Sequence, residues 1–414
     1  MSKRDKMTMK GVNIVCVALV SLLAIGCEIK KPESKSEIDL YPIELDNRMF
    51  NDPNAAFDTL SYAMGMHHAL SAQVLVLEGG IDRELLVNNF FETLDAESVD
   101  LVDLHETAIK MNEFYSISLQ PFMSMKQRNA AILSVKPDAE LETPVLFDEE
   151  FTCEEMSALM GRKMAGELCM RQLPLNRYWI KQAFDDAAII QGAMAVDEVM
   201  QLPVMDMLSL VRSKELSTQI ADTFASQSAA WLDNVAKQDG VVALDCEDGE
   251  RVYYKIHDRG NEVKPTSQSD SLYMEYSLYS CYGMPVESTK EMVAAMDRYI
   301  ARLGNDATMD DNTRAKLLDE AEAQREIFSM GGATMKSLFF DVLGDCLKQI
   351  GESGSITVWL PASHITNVVL DNENFVYSNM GGVITIKLNR VVPVEQQVAR
   401  KRLPKPISKI RSLQ

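Results

Sequence analysis

The chain has 414 residues, of which 46% are hydrophobic and 25% are charged. This is the composition of a globular protein with room for two or three domains, each with its own core. The formal net charge is −20, which repels the phosphates of nucleic acids, and no basic helix or aromatic platform opposes that charge. Nucleic acid is therefore excluded as a partner.

The first 27 residues have the order of a targeting signal. Basic side chains run from Lys3 to Lys10, residues 11–25 are apolar but too few for a membrane span, and Gly26-Cys27 follow. This order resembles a bacterial lipoprotein signal, which implies lipidation of Cys27 and a place in the cell envelope, anchored to the membrane and facing the periplasm or the cell surface. A secretory signal without lipidation and an uncleaved anchor are the alternatives.

The segment after the signal and the end of the chain are both polar. Residues 28–54 combine lysine, glutamate and serine with three prolines, Pro32, Pro42 and Pro53, which predicts a flexible tether. Residues 396–414 form a basic tail, which is typical of a solvated chain end.

The next part of the chain predicts helices. Residues 55–128 begin with the helical pattern "DTLSYAMGMHHALSAQVLVL" and continue with "IDRELLVNNFFETLDA", where Asp82 is placed to cap the second helix. A third helix is predicted from about Val102 to Met125. These helices form the first helical segment.

A second helical segment, residues 150–238, repeats the pattern of the first. It contains "FTCEEMSALMGRKMAGELCM" and "LNRYWIKQAFDDAA", followed by a long connecting helix. Chance similarity between amphipathic helices is the alternative to a duplication. The matched positions are Ser61 with Ser157, Met64 with Met160, Gly65 with Gly161, Ile81 with Leu175, Asp82 with Asn176, Arg83 with Arg177, Leu86 with Ile180, and Phe90 with Phe184.

Residues 240–395 change character to short strands and turns. Alternating β-branched residues predict strands, and a charged helical insertion is predicted at about 289–332. No metal site is predicted, because the histidines form no ligand set and no CxxC occurs. The cysteines after Cys27 are odd in number, which favours reduced, buried thiols over a disulfide framework. No cofactor is predicted.

The strand-rich part resembles the FKBP-type peptidyl-prolyl cis-trans isomerases. The resemblance rests on "YYKIHDRGNEVKPTSQSDSLYMEYSLYSCYGMPVEST", where Lys264-Pro265-Thr266, Asp270, Tyr276 and Gly283 stand at matching places. It implies an antiparallel, twisted sheet around a short helix, which begins near "FFDVLGDCL". The fold class is then α+β, with a mostly helical N-terminal half and an FKBP-like domain that carries the helical insertion.

The helical segments are similar to the dimerising N-terminal region of Mip-like members of that family. This similarity implies a homodimer through the helical half. The duplication offers a second arrangement, in which the two copies pair within one chain and replace the dimer. The sequence leaves both arrangements open.

The resemblance also implies a cleft for proline between the sheet and the short helix. No residue is assigned a certain catalytic role, because lowering a barrier of about 18–20 kcal/mol to amide rotation needs an apolar slot and donors rather than a nucleophile or metal. Tyr276 keeps the tyrosine of the family, Glu287 replaces an aspartate, and Leu343 replaces the tryptophan of the pocket floor. The remaining candidates for the peptide pocket are Val286, Phe339, Phe340, Thr366 and Ile384.

These features predict an FKBP-like folding factor or chaperone that binds unfolded or proline-containing polypeptide in extended form. Most aromatic walls of the family are replaced, so isomerase activity is predicted to be weak or lost. An active peptidyl-prolyl isomerase is the first alternative. A non-catalytic structural or assembly lipoprotein, which would use the helices and the insertion to hold a partner, is the second.

Overall fold

The structure of the chain is a computed structural model. It describes residues 40–45, 48–96, 98–141, 143–193, 204–246, 249–267, 269–305, 310–334, 341–365 and 379–393. The predicted signal, the predicted lipidation site Cys27 and the basic tail lie outside these residues. The predicted α+β class is confirmed, since a helical half precedes an antiparallel sheet. None of the described helices is both long and apolar enough to span a bilayer.

The helical half contains eight α-helices within the described residues. Helices α1 and α6 pack against each other, and so do α2 and α5. A π-helical turn, Tyr115–Leu119, joins α3 to α4. The helices are α1 (Thr59–Gly79), α2 (Arg83–Asp95), α3 (Leu101–Phe114), α4 (Gln120–Val135), α5 (Cys153–Met170), α6 (Arg177–Ala193), α7 (Val204–Val211) and α8 (Lys214–Val235).

Side-chain caps start several of these helices. Asp82, Asp100, Thr152 and Ser213 each accept a hydrogen bond from a backbone N–H in the first turn of the helix that follows. These bonds satisfy donors that have no partner within the helix. The helices then bury one large core, in which Phe90 is fully enclosed.

The described part of the predicted tether lies against the folded body. Trp231 Nε1 donates to the carbonyl of Tyr41 at 2.7 Å, and Trp359 Nε1 donates to the carbonyl of Leu40 at 3.2 Å. The Tyr41 ring stacks on Trp359 with ring centroids 5.8 Å apart. Leu40 and Tyr41 thus have apolar partners in the folded body, although both lie within the range predicted as a flexible tether.

The sheet is antiparallel, with strand order β1-β2-β6-β7-β3-β4, and β5 pairs with the other end of β3. The strands are β1 (Val242–Asp245), β2 (Arg251–Asp258), β3 (Ser271–Ser280), β4 (Pro285–Ser288), β5 (Gly332–Thr334), β6 (Ser355–Leu360) and β7 (Gly382–Val392).

Both faces of the sheet are covered. Alternate residues of β3, β6 and β7, such as Leu278, Val358 and Ile386, face the short helix α11 (Asp341–Leu347). Residues of the opposite parity, such as Trp359 and Val383, join a second core with Trp231 of α8. The sheet half is therefore held on the helical half by its second face. A final short helix, α12 (Ala362–Ile365), follows β6.

A helical hairpin occupies the chain between β4 and β5. It consists of α9 (Thr289–Asn305) and α10 (Asp311–Met330), which pack on each other around Met296, Leu303 and Ala321. Gly331 ends α10 with a φ of 56°, and a Cβ there would overlap the carbonyl oxygen of Met274. Glycine is thus required where the hairpin returns to the sheet.

Candidate functional site

Five of the predicted pocket residues fall within the described structure, and they lie around one core. Tyr276 lies on β3, Val286 and Glu287 on β4, Leu343 on α11 and Ile384 on β7. Leu343 and Ile384 belong to the core between the sheet and α11, and Tyr276 and Val286 pack against its edge. The other predicted residues, Phe339, Phe340 and Thr366, lie outside the described residues.

The polar feature of this site is a hydrogen bond between neighbouring strands. The Tyr276 hydroxyl donates to Oε1 of Glu287, and both side chains are half-buried. Burial raises the pKa of Tyr276, and the charge of Glu287 raises it further. Tyr276 therefore remains a neutral phenol, able to donate a hydrogen bond, across the physiological pH range.

The pKa of the Glu287 carboxyl is also raised. Burial is the main cause, the nearby charge of Glu291 adds to it, and the hydrogen bond from Tyr276 opposes it. The pair thus combines a donor that does not ionise with an acid whose proton affinity is increased.

The floor of the site is aliphatic. Leu343 is 3% exposed and Ile384 is 4% exposed. A prolyl ring would reach these two side chains only if their neighbours moved aside. Trp359 does not replace the missing indole, because it points to the opposite face of the sheet, where it is fully buried against Tyr41.

The start of the hairpin touches the site directly, so the helical insertion begins at the edge of the site. The backbone N–H of Tyr276 donates to Oγ1 of Thr289 at 3.3 Å. Two residues further on, Oε1 of Glu291 lies 3.3 Å from Nε2 of the buried His105 on α3. A sequence signal did exist, since Ser288 and Glu291 have capping-box spacing and the Glu291 N–H bonds to Ser288 Oγ at 3.1 Å.

Other chemistry-bearing groups lie elsewhere. The thiols of Cys169, Cys281 and Cys346 are buried, which raises the pKa of each to about 12. The described residues contain no group of three or more metal-ligating side chains. A shallow open depression of about 580 Å³ is lined by polar side chains along α8, including Glu215 and Asp222, and by none of the predicted pocket residues.

Comparison with known proteins finds similarity only among solved structures. No family model matches the chain, and no curated protein matches it. FkpA from Escherichia coli shares 14% identity at a TM-score of 0.32, covering 60% of this chain and 98% of FkpA. A peptidyl-prolyl cis-trans isomerase from Pseudomonas syringae pv. tomato shares 10% identity at a TM-score of 0.28, covering 42% of this chain and 96% of the isomerase.

The three FKBP domains of wheat FKBP73 share 12% identity with the chain at a TM-score of 0.22, covering 36% of this chain and 48% of the wheat protein. One of these three structures is thus a peptidyl-prolyl cis-trans isomerase, and another consists of FKBP domains. Similarity at these values does not establish the family of the chain.

Proposed function

We propose that this protein is an FKBP-like folding factor of the bacterial cell envelope that binds extended polypeptide and has weak or no isomerase activity. The observation that supports this is the Tyr276–Glu287 pair at the edge of an aliphatic core between an antiparallel sheet and a short helix. The pair offers a polar contact to a peptide backbone, and the core edge offers an apolar one.

Weak isomerase activity follows from the side chains that surround the proposed site. Isomerisation is accelerated when a pocket binds the twisted amide better than either planar form. Leu343 and Ile384 are aliphatic and buried, so the floor of the site presents no aromatic face. Such a site holds an apolar side chain by contact area, but it favours planar and twisted amides nearly equally.

The test measures proline cis/trans exchange in a short peptide by NMR, with the purified mature chain. We expect at most slight acceleration over solvent, together with suppressed aggregation of an unfolded client. Tyr276→Phe keeps the ring and removes the hydroxyl, so it should weaken client binding. Tyr273→Phe, on the same strand but the opposite face, is the matched control. Equal client binding by both variants would contradict a role for the Tyr276–Glu287 pair.

An active isomerase is the second candidate, and the Tyr276–Glu287 pair favours it because this pair keeps the hydroxyl and an acid of the family's cleft. In that case the wild-type chain would accelerate exchange strongly and Tyr276→Phe would lower the rate. A structural or assembly lipoprotein is the third candidate, favoured by the hairpin that bridges both halves of the chain. Activity in neither assay would support it.

The envelope location is tested separately. Cys27 is the proposed lipidation site, so metabolic labelling with a fatty acid should mark the wild-type chain in a bacterial host. Cys27→Ser should abolish the label and release the chain from membranes. Membrane-bound Cys27→Ser protein without label would instead indicate an uncleaved anchor.

A further inference from the structure

The helix pairs of the helical half contact each other reciprocally. In the sequence repeat, α1 corresponds to α5 and α2 corresponds to α6. In the structure α1 packs on α6, and α2 packs on α5. Exchanging the two copies turns each contact into the other, which is the relation that a two-fold axis produces.

Two hydrogen bonds between the copies follow the same two-fold relation. The backbone N–H of Asn176 donates to Oγ of Ser61 at 2.8 Å, and the backbone N–H of Asp82 donates to Oγ of Ser157 at 2.9 Å. Ser61 corresponds to Ser157 in the repeat, and Asp82 corresponds to Asn176. Both serines are fully buried. Two independent bonds of one kind therefore join the copies in both directions.

The close contacts between helix backbones at the matched glycines show the same two-fold relation. A Cβ at Gly65 would lie 2.7 Å from the carbonyl oxygen of Ile180. A Cβ at Gly161 would overlap the carbonyl oxygen of Leu86. Gly65 and Gly161 are matched positions, and so are Ile180 and Leu86. Each copy thus uses its glycine to bring the backbone of the other copy into contact.

One matched pair lies on the axis itself. The rings of Phe90 and Phe184 contact each other with centroids 4.6 Å apart. Equivalent residues meet only where a two-fold axis passes between them, as in the interface of a symmetric dimer. The helix packing, the two serine hydrogen bonds, the glycine contacts and the Phe90–Phe184 pair all follow the same two-fold relation. Chance similarity between helices does not explain this agreement.

We infer that the helical half is a duplicated unit whose two copies form a pseudo-dimer within one chain. The partner of this interface is the chain's own second copy, so no second chain is needed there. The single sheet half is held by helices that follow each copy: Leu104 of α3 and Trp231 of α8 belong to one core with Tyr282 and Trp359 of the sheet half. One chain therefore carries one cleft.

The first test is the mass of the full mature chain in solution, measured by light scattering over a hundredfold range of concentration. We expect the mass of one chain throughout, and a thermal midpoint that does not change with concentration. A mass of two chains, or a midpoint that rises with concentration, would overturn the inference.

The second test excludes exchange of copies between chains. Unlabelled and ¹⁵N-labelled chains are unfolded, mixed and refolded together, and native mass spectrometry then looks for species that contain one chain of each kind. We expect none. Hybrid species would show that the copies pair between chains, as in a swapped homodimer.

A third measurement tests the equivalence of the copies by the mildest substitutions. Ser61→Ala and Ser157→Ala each remove one of the two matched acceptors, so both should lower the thermal midpoint, and by amounts that agree within about 3 °C. Ser217→Ala, on α8 away from the interface, is the control. An effect of only one of the two matched variants would contradict the pseudo-symmetry.

Discussion

The helical half and the sheet half of this chain use their apolar residues differently. The core of the helical half contains methionines, among them Met64, Met156 and Met160, while the core between the sheet and α11 is built mainly of valine, leucine and isoleucine. Methionine adapts to irregular gaps between helices, and β-branched residues suit the faces of a sheet. Met64, Met156 and Met160 are therefore used for packing within the helical core.

The two halves also differ in where they keep polar groups. In the helical half, buried groups such as Ser61 and Ser157 bond across the two copies and complete an internal interface. In the sheet half, Tyr276 and Glu287 bond at the edge of the core, where they remain half-buried. The helical half thus uses these two serines to join its copies, and the sheet half retains a polar pair at the edge of its core.

The largest effect should come from filling the contact at Gly161. Gly161→Leu would force apart α2 and α5, because the added carbons meet the backbone at Leu86 and Phe90. Overpacking of this kind costs about 3 kcal/mol. Urea unfolding followed by circular dichroism should show the loss as a lower midpoint.

The matched control is Gly304→Ala on α9, where an added Cβ meets open space. It should leave stability unchanged or raise it by about 0.5–1 kcal/mol, since alanine favours the helix. A Gly161→Leu chain as stable as the control would contradict the close helix contact and with it the reciprocal packing.

The next effect concerns the charges that join the halves. Glu113 on α3 is 6% exposed and bonds to Arg302 of the hairpin. Arg302→Leu would leave this carboxylate buried with only Arg298 nearby, at 3.9 Å, and should cost about 2–3 kcal/mol. Hydrogen exchange of α9 should accelerate together with the loss of stability.

Arg325→Leu is the control on the same hairpin. Arg325 pairs with Asp297 on the surface, so its removal should lower stability much less than Arg302→Leu does. Adding Glu113→Leu to Arg302→Leu should recover part of the loss, because the unpaired buried charge is gone. No recovery in the double variant would indicate that packing, rather than charge, couples the halves.

Mild acid should act oppositely on the two halves, because the pKa of His68 in the helical half is lowered and the pKa of Glu287 in the sheet half is raised. Burial lowers the pKa of His68, which lies inside the helical half, to about 3. The unfolded chain takes up a proton near pH 6.5 and the folded chain does not, so stability falls as pH drops from about 6.5 towards 3. At pH 5 the expected loss is about 2 kcal/mol.

Glu287 in the sheet half shifts in the opposite sense. Its pKa is raised, so the folded state binds a proton more readily than the unfolded state, and acidification favours the fold there. Thermal melts at pH 7 and pH 5 should therefore show a loss for the wild type and a smaller loss for His68→Phe. Equal losses in both chains would show that His68 is not the acid-sensitive group.

The sequence predicted local features well and contacts between the halves poorly. The helix start at Asp82 could be predicted because capping depends on neighbouring residues. The resemblance to FKBP-type isomerases predicts one pocket for Tyr276 and Glu287. The structure joins the two side chains by a hydrogen bond between adjacent strands, and the pocket stays a prediction. The contact between His105 and Glu291 spans 186 residues of chain, and no local pattern encodes it. The covered second face of the sheet was missed for the same reason.

The smallest effect should come from Tyr276→Phe, measured as stability rather than binding. The variant removes one hydrogen bond and leaves the half-buried Glu287 carboxylate without its phenol donor, which should cost about 1 kcal/mol. Because this bond lowers the pKa of Glu287, its loss should raise that pKa further and concentrate the cost at neutral pH. Unfolding at pH 7 and pH 4 should then show a larger loss at pH 7. A loss that does not depend on pH would mean that the hydroxyl contributes packing alone, and that the Tyr276–Glu287 pair does not act as an electrostatic unit.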